Sequence, residues 1–154
     1  MKNEFMKRAI DLSLESVNKG GGPFGSVIVK DNRIIAEGSN EVTPSNDPTA
    51  HGEIVAIRKA CKKLNKFNLD GYELYSTCEP CPMCLSAIYW ARISKIYYAN
   101  TREDARKIDF DDSLIYSEIQ KIINERKIPM VQMMRDEALK AFELWDKKTD
   151  KVKY

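Results

Sequence analysis

Tyr72-Glu73-Leu74-Tyr75-Ser76-Thr77-Cys78-Glu79-Pro80-Cys81-Pro82-Met83-Cys84 changes character partway along. Tyr72 to Ser76 alternates as a strand does, with successive side chains on opposite faces. Thr77 to Pro80 reads as a turn, and the spacing predicts a helix over Cys81–Ala91, with Pro80 and Pro82 at its start, where a missing N–H costs nothing. Working outward, Ser94–Ala99 reads as the next strand. Upstream, Phe24–Val29 and Arg33–Glu37 read as strands joined at Asp31-Asn32, a hairpin signal. Asn40–Pro48 reads as loop, and a helix is expected over Thr49–Leu64. The N-terminal stretch Glu4–Lys19 carries Met6, Ile10, Leu14 and Val17 at helical spacing and closes at Gly20-Gly21-Gly22-Pro23. Downstream, a helix is expected over Ser113–Glu125, a fifth strand over Ile128–Met133 and a last helix over Asp136–Lys147. Strands alternating with helices predict an α/β fold with helices on both faces of the sheet.

Composition narrows the class. The chain has 154 residues, of which 43% are hydrophobic and 31% charged, with a net charge of +2. That length suits a single domain with a substantial core. No apolar stretch approaches a membrane span, and Met1-Lys2-Asn3-Glu4 leads into an amphipathic helix rather than a signal sequence. A charge near zero lacks the basic footprint of a nucleic-acid binder. Of the four cysteines, Cys78, Cys81 and Cys84 are bunched at metal-ligand spacing, which fits a reducing cytoplasm better than a disulfide scaffold. The lysine-rich end, Lys147 to Lys153, reads as a solvated tail.

Cys81 and Cys84 are three apart, so one helical turn carries both sulfurs. A helix N-terminus favours the thiolate, which is the form that binds metal. About thirty residues upstream lies Thr49-Ala50-His51-Gly52-Glu53, which holds the chain's single histidine. His-x-Glu followed by Pro-Cys-x-x-Cys is the described signature of zinc-dependent base deaminases. A catalytic zinc keeps three protein ligands and an open fourth position, and His51, Cys81 and Cys84 supply three. Glu53 is then a non-ligating carboxylate that moves the proton of an activated water. Plainer readings compete: a redox pair, half of a structural zinc site, or an all-sulfur knot from Cys78, Cys81 and Cys84. Structural sites usually draw four ligands from two separated pairs, and Cys61 has no sequence neighbour to complete one.

The chain resembles the cytidine-deaminase-fold guanine deaminases of bacteria over nearly its whole length. The stretches that carry the resemblance are Gly21-Gly22-Pro23-Phe24-Gly25, Ser45 to His51, Cys78 to Cys84, Ala87 to Arg92, Phe110-Asp111-Asp112-Ser113 and the terminal Tyr154. The resemblance implies a three-layer α/β/α sandwich of cytidine deaminase-like type with a central mixed five-stranded sheet. It also implies a zinc enzyme that hydrolyses guanine to xanthine and ammonia, zinc-bound hydroxide adding at the carbon that bears the 2-amino group and Glu53 shuttling the proton. It assigns Asn40 to hydrogen-bonding the purine, Phe24 and Trp90 to flanking the ring, and Asp112 to a second carboxylate near the departing amine. Plain core packing competes for Phe24 and Trp90, and helix capping competes for Asp112. The C-terminal segment, about residues 134–154, is implied to cross to the partner of a homodimer, where Tyr154 helps close the pocket.

Gly52 departs from the alanine or other small residue usual in such relatives, and it is expected beside the substrate. Guanosine, cytosine, an aminotriazine and transfer-RNA adenosine are the alternative substrates. A zinc-stabilised binding module without catalysis and a thiol–disulfide oxidoreductase are rivals of other classes. Glu53 speaks against the module, because a structural site has no use for a carboxylate two residues from a ligand.

Overall fold

Among residues 2–154, which the computed structural model describes, four strands form the sheet: β1 (Gly25–Lys30), β2 (Arg33–Ser39), β3 (Glu73–Cys78) and β4 (Lys95–Asn100). Their order is β2-β1-β3-β4. β1 is antiparallel to both β2 and β3, whereas β4 runs parallel to β3. The sheet is therefore mixed. Asp31 and Asn32 both take positive φ, 48° and 57°. That conformation makes the two-residue turn match the twist of its strands, and Asp and Asn tolerate it. The parallel pair needs a crossover, and the helix α4 (Pro82–Trp90) supplies it.

Alternate residues of β1 and β3 face opposite layers. Val27, Val29 and Tyr75 pack against Phe5, Ala9 and Leu12 of helix α1 (Lys2–Asn18). Ile28 and Leu74 pack against Ala56 and Ala60 of helix α3 (Gly52–Leu64) and Ile88 of α4. Helices cover both faces, as the sequence led us to expect. A short helix α2 (Val42–Ser45) interrupts the expected loop, and α5 (Arg102–Arg106) follows β4 behind a Thr101–Asp104 capping box.

These elements belong to the first of two compact units, Met1–Asp112. The second, Ser113–Tyr154, contains α6 (Ser113–Gln120), a 3-10 turn at Ile123–Glu125 and α7 (Arg135–Lys147). No residue of this unit is buried. The fifth strand expected over Ile128–Met133 does not form, and the five-stranded sheet becomes four-stranded. Alternating apolar residues make a strand only where a ladder partner exists. Pro129, within this run, also lacks a donor.

The face that α1 buries differs from the one its largest apolar residues suggest. Ile10, Leu14 and Val17 are exposed, while Phe5, Ala9, Leu12, Ser13 and Ser16 are buried. Close approach is the reason. A Cβ added at Gly25 would lie 2.3 Å from the Ala9 carbonyl oxygen and 2.7 Å from the Ser13 nitrogen. The helix and strand backbones nearly touch there, so only small residues fit between them. Gly25→Ala is expected to destabilise the fold by about 1–3 kcal/mol through overpacking. Leu14→Ala on the exposed face should stay within about 0.5 kcal/mol. Urea denaturation of both variants checks the pair.

Candidate active site

His51 and Cys81 are the N-cap residues of α3 and α4. Both backbones are extended there, with φ/ψ of −68°/155° and −64°/167°. Each residue's carbonyl accepts the first helical hydrogen bond, from Val55 N–H at 2.9 Å and Leu85 N–H at 2.8 Å. The helices thus start at Gly52 and Pro82, three residues and one residue later than the sequence suggests. Pro82 opens α4, where its missing N–H is not needed. The chain entering the α3 cap is clasped by Asp47, whose Oδ1 accepts from the Thr49 backbone N–H (2.8 Å) and hydroxyl (2.7 Å).

This arrangement brings together residues thirty positions apart. His51 Nδ1 lies 3.5 Å from Cys81 Sγ and 3.5 Å from Cys84 Sγ. A tetrahedral zinc with ordinary bond lengths separates a nitrogen and a sulfur ligand by about 3.6 Å. The spacing and the nitrogen–sulfur–sulfur donor set fit zinc, with three protein ligands. Hydrogen bonding from Cys84, and then from His51, holds the Cys81 thiol down to about 4. The hydrogen bond to Cys81, and then burial, push the Cys84 thiol up. Cys78 stands apart: its thiol points to the Thr101 carbonyl at 3.6 Å and is pushed up to about 11 by burial. Cys61 is half-buried against the α3 core. The all-sulfur knot is not what the fold builds.

Glu53 lies in the first turn of α3 and is buried. Its Oε2 accepts from the Cys84 thiol at 3.4 Å and its Oε1 from the Ser76 hydroxyl at 3.2 Å. Burial raises its pKa, and a raised pKa helps a carboxyl group hold and then release a proton. Asp112 is half-buried, and its pKa is also raised, by burial first and then by the negative charge of Cys81.

Asn40 is buried, and its Oδ1 accepts from the Gly22 and Val42 N–H groups, each at 3.2 Å. Its acceptor is thereby engaged with backbone. The ring of Phe24 meets Phe110 edge-on, with centroids 4.9 Å apart at 90°. Phe110 was not singled out by the sequence as a site residue, although it lies two positions before Asp112. A Cβ added at Gly52 would meet the Phe24 carbonyl oxygen at 3.3 Å, and that oxygen accepts from Asn40 N–H at 2.9 Å. Gly52 therefore borders the main chain joining Phe24 to Asn40. Trp90 is the last residue of α4 and is exposed. Tyr154 is exposed in the second unit.

An α/β/α sandwich with one imidazole and two thiols converging at two helix N-termini, beside a buried carboxylate, defines a zinc-dependent hydrolytic deaminase. Residues 1–100 match the cytidine and deoxycytidylate deaminase zinc-binding region, and the chain belongs to that family. It is 56% identical over 151 residues, 97% of each chain, to the guanine deaminase of Bacillus subtilis (strain 168). It also resembles the crystal structure of a B. subtilis guanine deaminase, with a TM-score of 0.95 over 99% of this chain and 98% of that one, at 56% identity. Guanine deaminase from Nitrosomonas europaea aligns at a TM-score of 0.67 and 30% identity, over 70% of this chain and 63% of that one. The tRNA-specific adenosine deaminase of Aquifex aeolicus is 43% identical over 64% of this chain and 65% of its own length.

Two predictions rest on this geometry. His51→Ala and Cys84→Ser should each lose stoichiometric zinc, whereas Cys78→Ser keeps it, as metal analysis of the purified variants will read. Gly52→Ala should bind zinc normally but change the ratio of activity on guanine to activity on guanosine, because the new methyl presses on the Phe24 carbonyl. Ammonia release from the two substrates measures that ratio.

Proposed function

We propose that this chain hydrolyses guanine to xanthine and ammonia. The observation that carries the reading is 56% identity with a guanine deaminase over 97% of both chains, together with the zinc-ligand geometry. The match with the A. aeolicus tRNA deaminase spans 64% of this chain.

In this reading His51, Cys81 and Cys84 hold the metal. Zinc, when bound, supplies a Lewis acid that lowers the pKa of a coordinated water toward neutrality. Glu53 Oε2, on the Cys84 side, takes a proton from the attacking water and delivers it toward the departing amine. Asp112, with its own raised pKa, handles the further proton at the leaving ammonia. Asn40 donates through Nδ2 to an acceptor on the purine, and Phe24, backed by Phe110, covers one face of the ring. Gly52 sets how closely α3 approaches Phe24.

The working unit is assigned as a homodimer with its C-terminal segment, about residues 134–154, exchanged between subunits. What supports this is the second unit's surface: Ile119, Ile122, Ile128, Val131, Phe142 and Leu144 are each more than half exposed. Exposed apolar residues in such number favour a covering partner, and symmetric pairing supplies one. Trp90 and Tyr154 are assigned to the pocket wall that a second subunit completes. The four free cysteines suit a reducing cytoplasm. Among the described residues, no helix is long and apolar enough to cross a membrane.

Zinc-loaded protein should release ammonia from guanine faster than from guanosine, cytosine, adenine or ammeline; a different preferred base would overturn the assignment. Glu53→Gln should lower kcat by about a hundredfold to ten-thousandfold with zinc retained. Deleting residues 152–154 should cripple turnover and leave zinc content intact. Mixing that truncated protein with Glu53→Gln should restore partial activity if tails are exchanged, since one intact carboxylate and one intact tail then meet. No recovery after subunit exchange would remove the swap.

A further inference from the structure

We propose that Ser76, backed by Ser26, is a positioning residue for Glu53. This inference rests on the proton-shuttle reading of Glu53 given above. Ser26 and Ser76 are direct cross-strand partners in β1 and β3. Each is 1% exposed. Ser26 donates to Ser76 Oγ at 3.3 Å, and Ser76 donates to Glu53 Oε1 at 3.2 Å. The chain of hydroxyls starts in the middle of the sheet and ends on the carboxylate.

Its place in the fold argues for a purpose beyond filling the core. The neighbouring cross-strand pair on the same face is Ile28 and Leu74, both fully buried against α3 and α4. One step along each strand toward the site, the apolar layer gives way to two hydroxyls. Burying a hydroxyl is costly unless it is hydrogen-bonded, and two apolar residues there would continue the core without that cost. A serine pair could satisfy itself across the strands, yet Ser76 directs its proton outward to Glu53 instead. With Oε1 held from the sheet side, the carboxylate has one orientation, and Oε2 faces the Cys84 thiol at 3.4 Å. A carboxylate that must meet water beside the metal gains from being locked before substrate arrives, because misplacement by a fraction of an ångström lowers the rate.

The test uses zinc-loaded protein and guanine. Ser76→Ala is expected to lower kcat by about tenfold to a hundredfold, the scale of one hydrogen bond to a charged group. KM and zinc content should stay near wild type, since Ser76 touches neither ring nor metal. Ser26→Ala removes the second link and is expected to lower kcat by about twofold to fivefold. Ser76→Thr keeps a hydroxyl and should recover most of the loss. In a Glu53→Gln background Ser76→Ala should have no further effect, because the two residues act as a unit. Wild-type kcat in Ser76→Ala, or a loss confined to KM, overturns the inference. Should Ser76→Ala fail to fold, Ser26→Ala decides: a fall in kcat at constant KM supports the relay, and an unchanged kcat overturns it. Failure of the underlying reading looks different. There, Glu53→Gln keeps full activity, or wild-type protein releases no ammonia from guanine, whatever the serines do.

Discussion

The convergence of two helix N-termini on one point sustains everything else in this molecule. His51 caps α3 and Cys81 caps α4, and these caps put an imidazole nitrogen 3.5 Å from two sulfurs. Neither helix could deliver that geometry alone. β1, pressed against α1 so closely that Gly25 has no room for a side chain, fixes one side of the sheet. β3 leads into the turn that carries Cys81, and its crossover to β4 fixes the direction of α4. The metal site is the place where these constraints meet.

Around that point, polar groups are buried with assigned partners. Among the described residues, no fully buried side-chain nitrogen or oxygen lacks a hydrogen bond. Asn40 spends its acceptor on two backbone N–H groups, and Glu53 shares its oxygens between a thiol and a hydroxyl. Such satisfaction makes the site rigid, and rigidity is what a hydrolytic centre needs, because catalytic groups must already be in place when the substrate binds. The second unit is the opposite case. It buries none of its apolar residues.

Much of the site was legible because its chemistry is local. Cys81 and Cys84 share a helical turn, and His51 and Glu53 share another, so spacing alone exposes both half-motifs. The hairpin at Asp31-Asn32 was legible for a similar reason, since few residues accept positive φ. Other features left no local mark. Ser76 reads as one more strand residue until β1 places Ser26 beside it and α3 lowers Glu53 onto it. Phe110 is an ordinary aromatic in a loop until its ring meets Phe24. The buried face of α1 left no local mark either, because the largest apolar residues usually turn inward, whereas here close packing selected Ala9, Ser13 and Ser16.

The sequence by itself determined the order of the four strands and of α1, α3 and α4 among them, the zinc ligands and the carboxylate beside them, because period, cap and ligand spacing act within a few residues. Tertiary structure decided which face of α1 is buried, that Ile128–Met133 forms no strand, and which oxygen of Glu53 faces the sulfurs. Each of those outcomes depends on a partner that is distant along the chain, and a side chain's own identity carries no information about who will stand opposite it.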